Sequence, residues 1–199
     1  MLYKKRKRFD DFRSRMGKTL VKIPITPNQW TILSLILAII LFYFLVNQEF
    51  LISFFLCIFT ISIDMVDGAV ARASNKATKF GAYLDTIIDR FIEFFIIFGL
   101  LLAGYPSFIF TSQVWLVILF FGSVMSTYSK SAAFEKGLIS KEMKGGGILE
   151  HTDRLILFLV IIILSYFSKK YAIYLIALTA ILTLVSFLQR FRIVTKRYI

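Results

Sequence analysis

The apolar and polar positions divide the chain into six long apolar runs with short polar breaks between them. The first run covers about Gln29 to Val46 and ends at Asn47-Gln48-Glu49, which read as a turn. The second extends from about Phe50 to Ala73 and the third from about Thr78 to Ala103, with a turn expected near Ser74–Ala77. From Phe94 to Ser129 there is no charged residue, a stretch too long for one crossing, and Gly104-Tyr105-Pro106-Ser107 divides it. The fourth run then spans about Phe108 to Phe134, the fifth His151 to Phe167 and the last Tyr171 to Phe191. Roughly 17 or more apolar-dominated residues are what a helix needs to cross a bilayer. Ahead of the first run, Phe9, Phe12, Met16, Leu20 and Ile23 fall on one helical stripe, with Arg13, Arg15, Lys18 and Lys22 off it. That pattern predicts an interfacial helix lying on the membrane, stopped by Ile23-Pro24-Ile25-Thr26-Pro27. The expected fold is therefore all-α and integral to the membrane: six transmembrane helices plus an N-terminal interfacial amphipathic helix. It divides into a basic arm with its juxtamembrane helix (1–27) and a transmembrane domain (28–199).

Composition agrees with a membrane domain, at 58% hydrophobic residues and a mean hydropathy of +0.75. Charge adds the orientation. Of the 24 Lys and Arg behind the formal charge of +12, nine lie in residues 1–22, including Lys4-Lys5-Arg6-Lys7-Arg8. Such a run can be a nucleic-acid arm, but beside a membrane span it is better matched to anionic headgroups, and no nucleic-acid partner is expected. With six crossings, the arm, the loop near Lys76, the loop near Lys141 and the C-terminal tail fall on one side, and only Lys169 and Lys170 on the other. The positive-inside rule then makes both termini cytoplasmic, in a multi-pass cell-membrane protein. The lone cysteine, Cys57, excludes an intrachain disulfide, and no cleavable signal peptide is expected because the first apolar run starts only near Thr31.

Against this apolar background four carboxylates stand out: Asp64 and Asp67 near the end of the second run, Asp85 and Asp89 near the start of the third. Asp64 and Asp67 share a helix face by their i, i+3 spacing, and Gly81, Asp85 and Asp89 share one by i, i+4, i+8. Asp64 lies about 12 Å along the axis from Arg72, and Asp85 about 10 Å from Thr78, at 1.5 Å per residue. Antiparallel helices joined by the turn would bring all four to one depth. Ionised carboxylates in a low-dielectric site must take up protons or bind cations. Oxygen donors without clustered Cys or His suit Mg²⁺, Mn²⁺ or Ca²⁺, and two divalent ions would neutralise four negative charges. Gly68, Ala71 and Gly81 leave room beside the acids, and Arg72 offers a fork for phosphate. Pairing of these acids with Arg72, Arg90 and Lys79 as helix glue is the bland alternative, and costly for four acids at helical spacing.

The pattern Asp64-x2-Asp67-Gly68-x2-Ala71-Arg72-x8-Gly81-x3-Asp85-x3-Asp89 resembles, without gap or substitution, the signature of the CDP-alcohol phosphotransferase family. The resemblance implies a membrane enzyme of phospholipid synthesis. It would move a phosphatidyl or archaetidyl group from a CDP-linked lipid to an alcohol and release CMP. It implies a site of two Mg²⁺ ions, with Mn²⁺ possible, held by Asp64, Asp67, Asp85 and Asp89, with Asp89 also the general base. It implies a homodimer as well. Pro27-Asn28-x2-Thr31 is similar to the family segment that opens the first span and helps hold the nucleotide. Asn28, Thr31, Gly68, Ala71, Arg72, Thr78 and Gly81 are accordingly expected at the CDP donor; capping alone is the other reading of Asn28, Thr31 and Thr78. The stretch Phe80–Arg90 looks like members that use inositol phosphate. Their basic acceptor segments correspond to Tyr128-Ser129-Lys130-Ser131-Ala132 and Glu150-His151-Thr152-Asp153-Arg154, which points to Lys130 and Arg154 for the acceptor phosphate. Ala132 and His151 stand where those segments carry arginine, so glycerol phosphate and serine stay open as acceptors. A transporter using the four acids as a cation site is the alternative from another class. Glu93, one turn beyond Asp89, is expected to be protonated or to pair inside with a cation such as Arg154; an outward-facing acid beside a basic neighbour is the other reading. His151 is expected to serve as a solvated cap or headgroup contact.

Overall fold

A computed structural model describes residues 19–21, 23–74, 76–139 and 147–196. Among the described residues, six helices have both ends: α1 (Pro27–Val46), α2 (Phe50–Ala73), α3 (Lys79–Ala103), α4 (Ser112–Glu135), α5 (His151–Phe167) and α6 (Lys169–Thr195). Four of them, α1, α2, α4 and α6, are long and apolar enough to cross a membrane. Helix α5 is shorter, at 17 residues, and α3 carries Lys79, Asp85, Asp89, Arg90 and Glu93 along its length. The stripe formed by Phe9, Phe12 and Met16 lies outside the described residues, as do Lys141 and Lys144.

The helix starts follow local chemistry. Pro27 occupies the first position of α1, where its missing N–H costs nothing. Thr26 and Gln29 close a capping box: the Gln29 N–H donates to Thr26 Oγ1 at 3.4 Å, and the Thr26 N–H donates to Gln29 Oε1 at 2.7 Å. Thr78 caps α3 by accepting the Gly81 N–H at 2.9 Å. At α5 the N-cap is Glu150, whose N–H donates to Asp153 Oδ2 at 2.9 Å, so His151 is the first helical residue rather than the cap.

Helix α4 begins at Ser112, not at Phe108 as the apolar run suggested. Phe108 and Phe110 instead bond each other's backbone, with Ile109 between them at φ 59°. The Trp115 indole N–H donates to the Phe108 carbonyl at 2.7 Å and pins this turn to the helix that follows. Helix α6 starts earlier than Tyr171, at Lys169, after a break of one residue, Ser168.

The chain forms two compact units. One joins the described residues through Leu41 with Phe55–Phe95; the other joins Phe42–Phe54 with Ile96 onward. In the first, Trp30, Ile63, Val66 and Val70 pack together, with Leu20, Ile25, Leu33 and Leu37 against them. Between membrane helices such contacts stabilise by close packing more than by transfer from water.

In the second unit Phe42 stacks on Phe98 at 5.5 Å and Leu45 meets Gly99, so α1 and α3 run parallel there. Helices α4 and α6 are also parallel, since Gly122 lies against Thr183 and the Ser126 carbonyl accepts from Arg190. Lys169 gathers one end of this unit: its ammonium donates to Gln48 Oε1 at 2.8 Å and to the Ala103 carbonyl at 2.9 Å. It also sits 5.6 Å from the Phe50 ring centroid and 5.8 Å from that of Tyr105. The chain segments after α1, after α3 and after α5 are thereby tied together.

Candidate active site

The carboxylates come from two adjoining helix ends. Asp64 and Asp67 lie on the last three turns of α2, Asp85 and Asp89 on the first three of α3. Asp64 and Asp89 are within hydrogen-bonding reach of each other, and so are Asp67 and Asp85. Going up one helix while going down the other is the register of antiparallel neighbours. The four acids therefore meet at one level, as their spacing predicts.

Each acid is supported differently. Asp67 is buried; it accepts the Thr31 hydroxyl at 2.6 Å through Oδ2 and the Gly68 N–H through Oδ1. Asp89 has Arg90 at 3.6 Å, and the same guanidinium donates to Glu93 Oε2 at 2.9 Å. Glu93 is buried, 1% exposed, so it does not face outward, and Arg90 one turn earlier holds it. Asp64 Oδ1 is buried without a hydrogen-bond partner among the described residues. A cluster of carboxylate oxygens with one buried oxygen left over is a donor set that fits a hard divalent cation. Unpaired, these acids would repel one another and lack the compensation their burial demands.

A cleft of about 190 Å³ opens beside the acids, lined by Pro27, Asn28, Thr31, Asp67, Gly68, Ala71, Arg72, Lys76, Ala77, Thr78, Gly81, Ala82 and Asp85. All seven residues expected at the donor line it. Because Thr26 and Gln29 cap α1, Asn28 and Thr31 are free of that duty: Thr31 holds Asp67, and Asn28 Oδ1 points toward Gly81. A Cβ at Gly81 would stand 3.1 Å from both Asn28 Oδ1 and Thr78 Oγ1, so only hydrogen there leaves this wall open. Arg72 folds back over Gly68, where a Cβ would lie 3.5 Å from its guanidinium. Lys76 also faces the cleft; the sequence marked it only as loop charge, although it sits within the eight-residue gap of the motif.

The residues expected at an acceptor phosphate lie in the second unit. Arg154 is buried, 1% exposed, one turn into α5, whereas Lys130 near the end of α4 is exposed. The sequence passed over Arg190, a half-buried cation on α6 that donates to the Ser126 carbonyl and reaches the Leu149 carbonyl at 3.5 Å. Its position among the Lys and Arg that close the chain made it look like ordinary positive-inside charge.

Known proteins resemble this chain in sequence and in fold. Over 199 residues the chain is 35% identical to the archaetidylinositol phosphate synthase of Pyrococcus horikoshii, covering 99% of this chain and 98% of that one. The phosphatidylinositol phosphate synthase of Mycobacterium tuberculosis, solved in complex with manganese and citrate, superposes with a TM-score of 0.78 at 25% identity, covering 92% of this chain and 88% of that one. The same enzyme with CDP-DAG bound gives a TM-score of 0.77, again at 25% identity, over 92% of each chain. The family model for CDP-alcohol phosphatidyltransferase matches residues 24–186, which takes in the cleft and both helices that bear its carboxylates. By that match the chain belongs to the CDP-alcohol phosphatidyltransferase family.

Proposed function

We propose that this membrane transferase moves the phosphatidyl or archaetidyl group of a CDP-linked lipid onto inositol phosphate and releases CMP. The observation that carries the reading is the pairing of Asp64 with Asp89 and of Asp67 with Asp85 at a cleft lined by the residues expected to hold the donor. A relative named for synthesis of archaetidylinositol phosphate, similar along nearly its whole length, supports the acceptor. So does Arg154, a buried arginine one turn into α5, which stands in the segment that resembles the acceptor-phosphate segment of inositol-phosphate-using members.

Asp64, Asp67, Asp85 and Asp89 would hold two divalent ions, Mg²⁺ by preference, and manganese in a structural relative supports that class of ion. Bound there, the ions would neutralise the diphosphate and stabilise charge on the leaving oxygen. Asn28, Thr78 and the open face of Gly81 receive the cytidine side of the donor, and Arg72 pairs with its phosphate. Lys130 and Arg154 orient the acceptor phosphate. Asp89 takes the proton from the acceptor hydroxyl. The freed oxygen forms a bond to the lipid-side phosphorus, and the bridging P–O bond breaks with its electron pair going to CMP. All six helices cross the bilayer with both termini and the cleft on the cytoplasmic side, and two chains associate as a homodimer. The gathering of three inter-helix segments by Lys169 supports the count of crossings.

The test is CMP release from a CDP-lipid by the purified protein, with Mg²⁺ or EDTA, against inositol phosphate, glycerol phosphate, serine and inositol. Mg²⁺-dependent turnover highest with inositol phosphate is expected. Preference for another acceptor would overturn the acceptor, and turnover that survives EDTA would overturn the role of the four aspartates.

A further inference from the structure

Beyond the catalytic cleft, an open groove of about 580 Å³ runs beside the end of α6, lined by Gly147, Ile148, Gln189, Arg192, Ile193 and Lys196. Its floor is built rather than incidental. The Ile148 N–H donates to Gln189 Oε1 at 2.9 Å, the Leu149 N–H donates to Ser186 Oγ at 3.1 Å, and that hydroxyl returns a bond to the Leu149 carbonyl at 3.0 Å. At Gly147 a Cβ would collide with Ser186 Oγ and lie 3.0 Å from Arg190 Nε, so glycine lets the segment lie flat on the helix. Arg192 and Lys196 stand four residues apart on the last turn of α6 and share a face. Both are exposed, and neither has a carboxylate within salt-bridge distance among the described residues. Ile148 and Ile193 present exposed apolar surface, 56% and 36%, next to these charges.

We propose that this groove binds the headgroup of an anionic phospholipid. Two full positive charges outweigh the roughly half negative charge of the helix C-terminus behind them. The charges end a helix long and apolar enough to cross a membrane, and a crossing α6 carries them to the headgroup layer, where a lipid phosphate lies. The two isoleucines flank the charges as the first carbons of a lipid tail would require. A free phosphate ion has no use for that apolar rim. The site is separate from the cleft, and no residue lines both.

The experiment measures phosphatidylglycerol retained per chain by native mass spectrometry of the full-length protein in neutral detergent, with phosphatidylcholine and inorganic phosphate as comparison probes. The wild type and Lys136→Ala, a control at an exposed lysine paired with Glu135, are expected to retain phosphatidylglycerol equally. The double variant Arg192→Ala/Lys196→Ala is expected to bind it roughly thirtyfold more weakly, the combined contribution of two cations near a lipid surface. Ile148→Ser should weaken it several-fold further from wild type. CMP release in mixed micelles without phosphatidylglycerol should match wild type and shows the variants folded; if the double variant does not fold, Arg192→Gln alone is compared. Equal retention by the cation variants, equal retention of phosphatidylcholine, or displacement by inorganic phosphate at matching concentrations would each overturn the proposal. Failure here leaves the acceptor panel unaffected, because the two readouts are independent.

Discussion

At the scale of single residues, Thr31 shows how a small side chain sets up the proposed metal site. Its hydroxyl meets Asp67 Oδ2 at 2.6 Å in a buried environment, a charge-assisted bond whose loss costs about 1.5–3 kcal/mol. Asp67 would keep the Gly68 N–H and its contact with Asp85 to fix its rotamer. Thr31→Val preserves the shape and removes the hydroxyl, so the expected result is a Mg²⁺ requirement raised at least about tenfold, together with a thermal midpoint lowered by several degrees. Thr31→Ser should restore the wild-type requirement, because it keeps the hydroxyl. An unchanged Mg²⁺ titration in Thr31→Val would reduce Thr31 to a packing residue. The four aspartates themselves were readable without coordinates because i, i+3 and i, i+4 spacings translate directly into helix faces. Arg190 was not. Its importance arises from burial against the Ser126 and Leu149 carbonyls, which no local pattern encodes.

Among elements, the contact between α4 and α6 depends on one missing side chain. A Cβ at Gly122 would stand 2.6 Å from Thr183 Oγ1, 2.9 Å from its Cβ and 3.1 Å from the Leu184 backbone nitrogen. Backbone cannot retreat as a flexible side chain can, so the helices must separate. Overpacking of this kind costs roughly 1–3 kcal/mol, and Gly122→Ala is expected to lower the thermal midpoint by several degrees. At Gly104, whose Cβ would meet nothing within 4 Å, crowding is not an issue; there the φ of 68° is what favours glycine. A thermal midpoint for Gly122→Ala equal to wild type would show that α4 and α6 pack more loosely than their geometry states. The helices were legible in outline because a membrane span needs a long apolar run, and most ends fell within a few residues of the expected positions. The start of α4 was not, since Phe108–Phe110 are as apolar as the helix after them. What excludes them is the left-handed Ile109, unusual for a β-branched residue, and the Trp115 bond that holds the turn. The Thr26–Gln29 capping box was present as a sequence pattern, yet Asn28 and Thr31 were the residues weighed as caps. The coordinates assign the capping elsewhere and leave those two for the cleft.

For the whole molecule, charge and connectivity make one joint prediction about the bilayer. Lys169 bonds to Gln48 and to the end of α3, so the first, third and fifth inter-helix segments meet at one end of the second unit. At the other end of that unit the segment before α5 is fastened to α6 near Ser186 and Gln189. Segments that alternate between ends are what six successive crossings produce. The end with Lys169 and Lys170 is poor in cations compared with the end bearing Arg190, Arg192 and Lys196, so the positive-inside rule predicts that it faces outward. The sole native cysteine, Cys57, is buried, so thiol labelling can be read from introduced sites. A membrane-impermeant maleimide applied to intact cells is expected to label Asn47→Cys and Lys170→Cys. It should reach Lys79→Cys and Lys136→Cys only after permeabilisation; all four native side chains are exposed. Reversal of all four would keep the six crossings and invert the protein, which would put the cleft on the outer side of the membrane. Labelling of Asn47→Cys without Lys170→Cys would break the alternation itself, and with it the inference that Lys169 ties together segments on one face of the membrane.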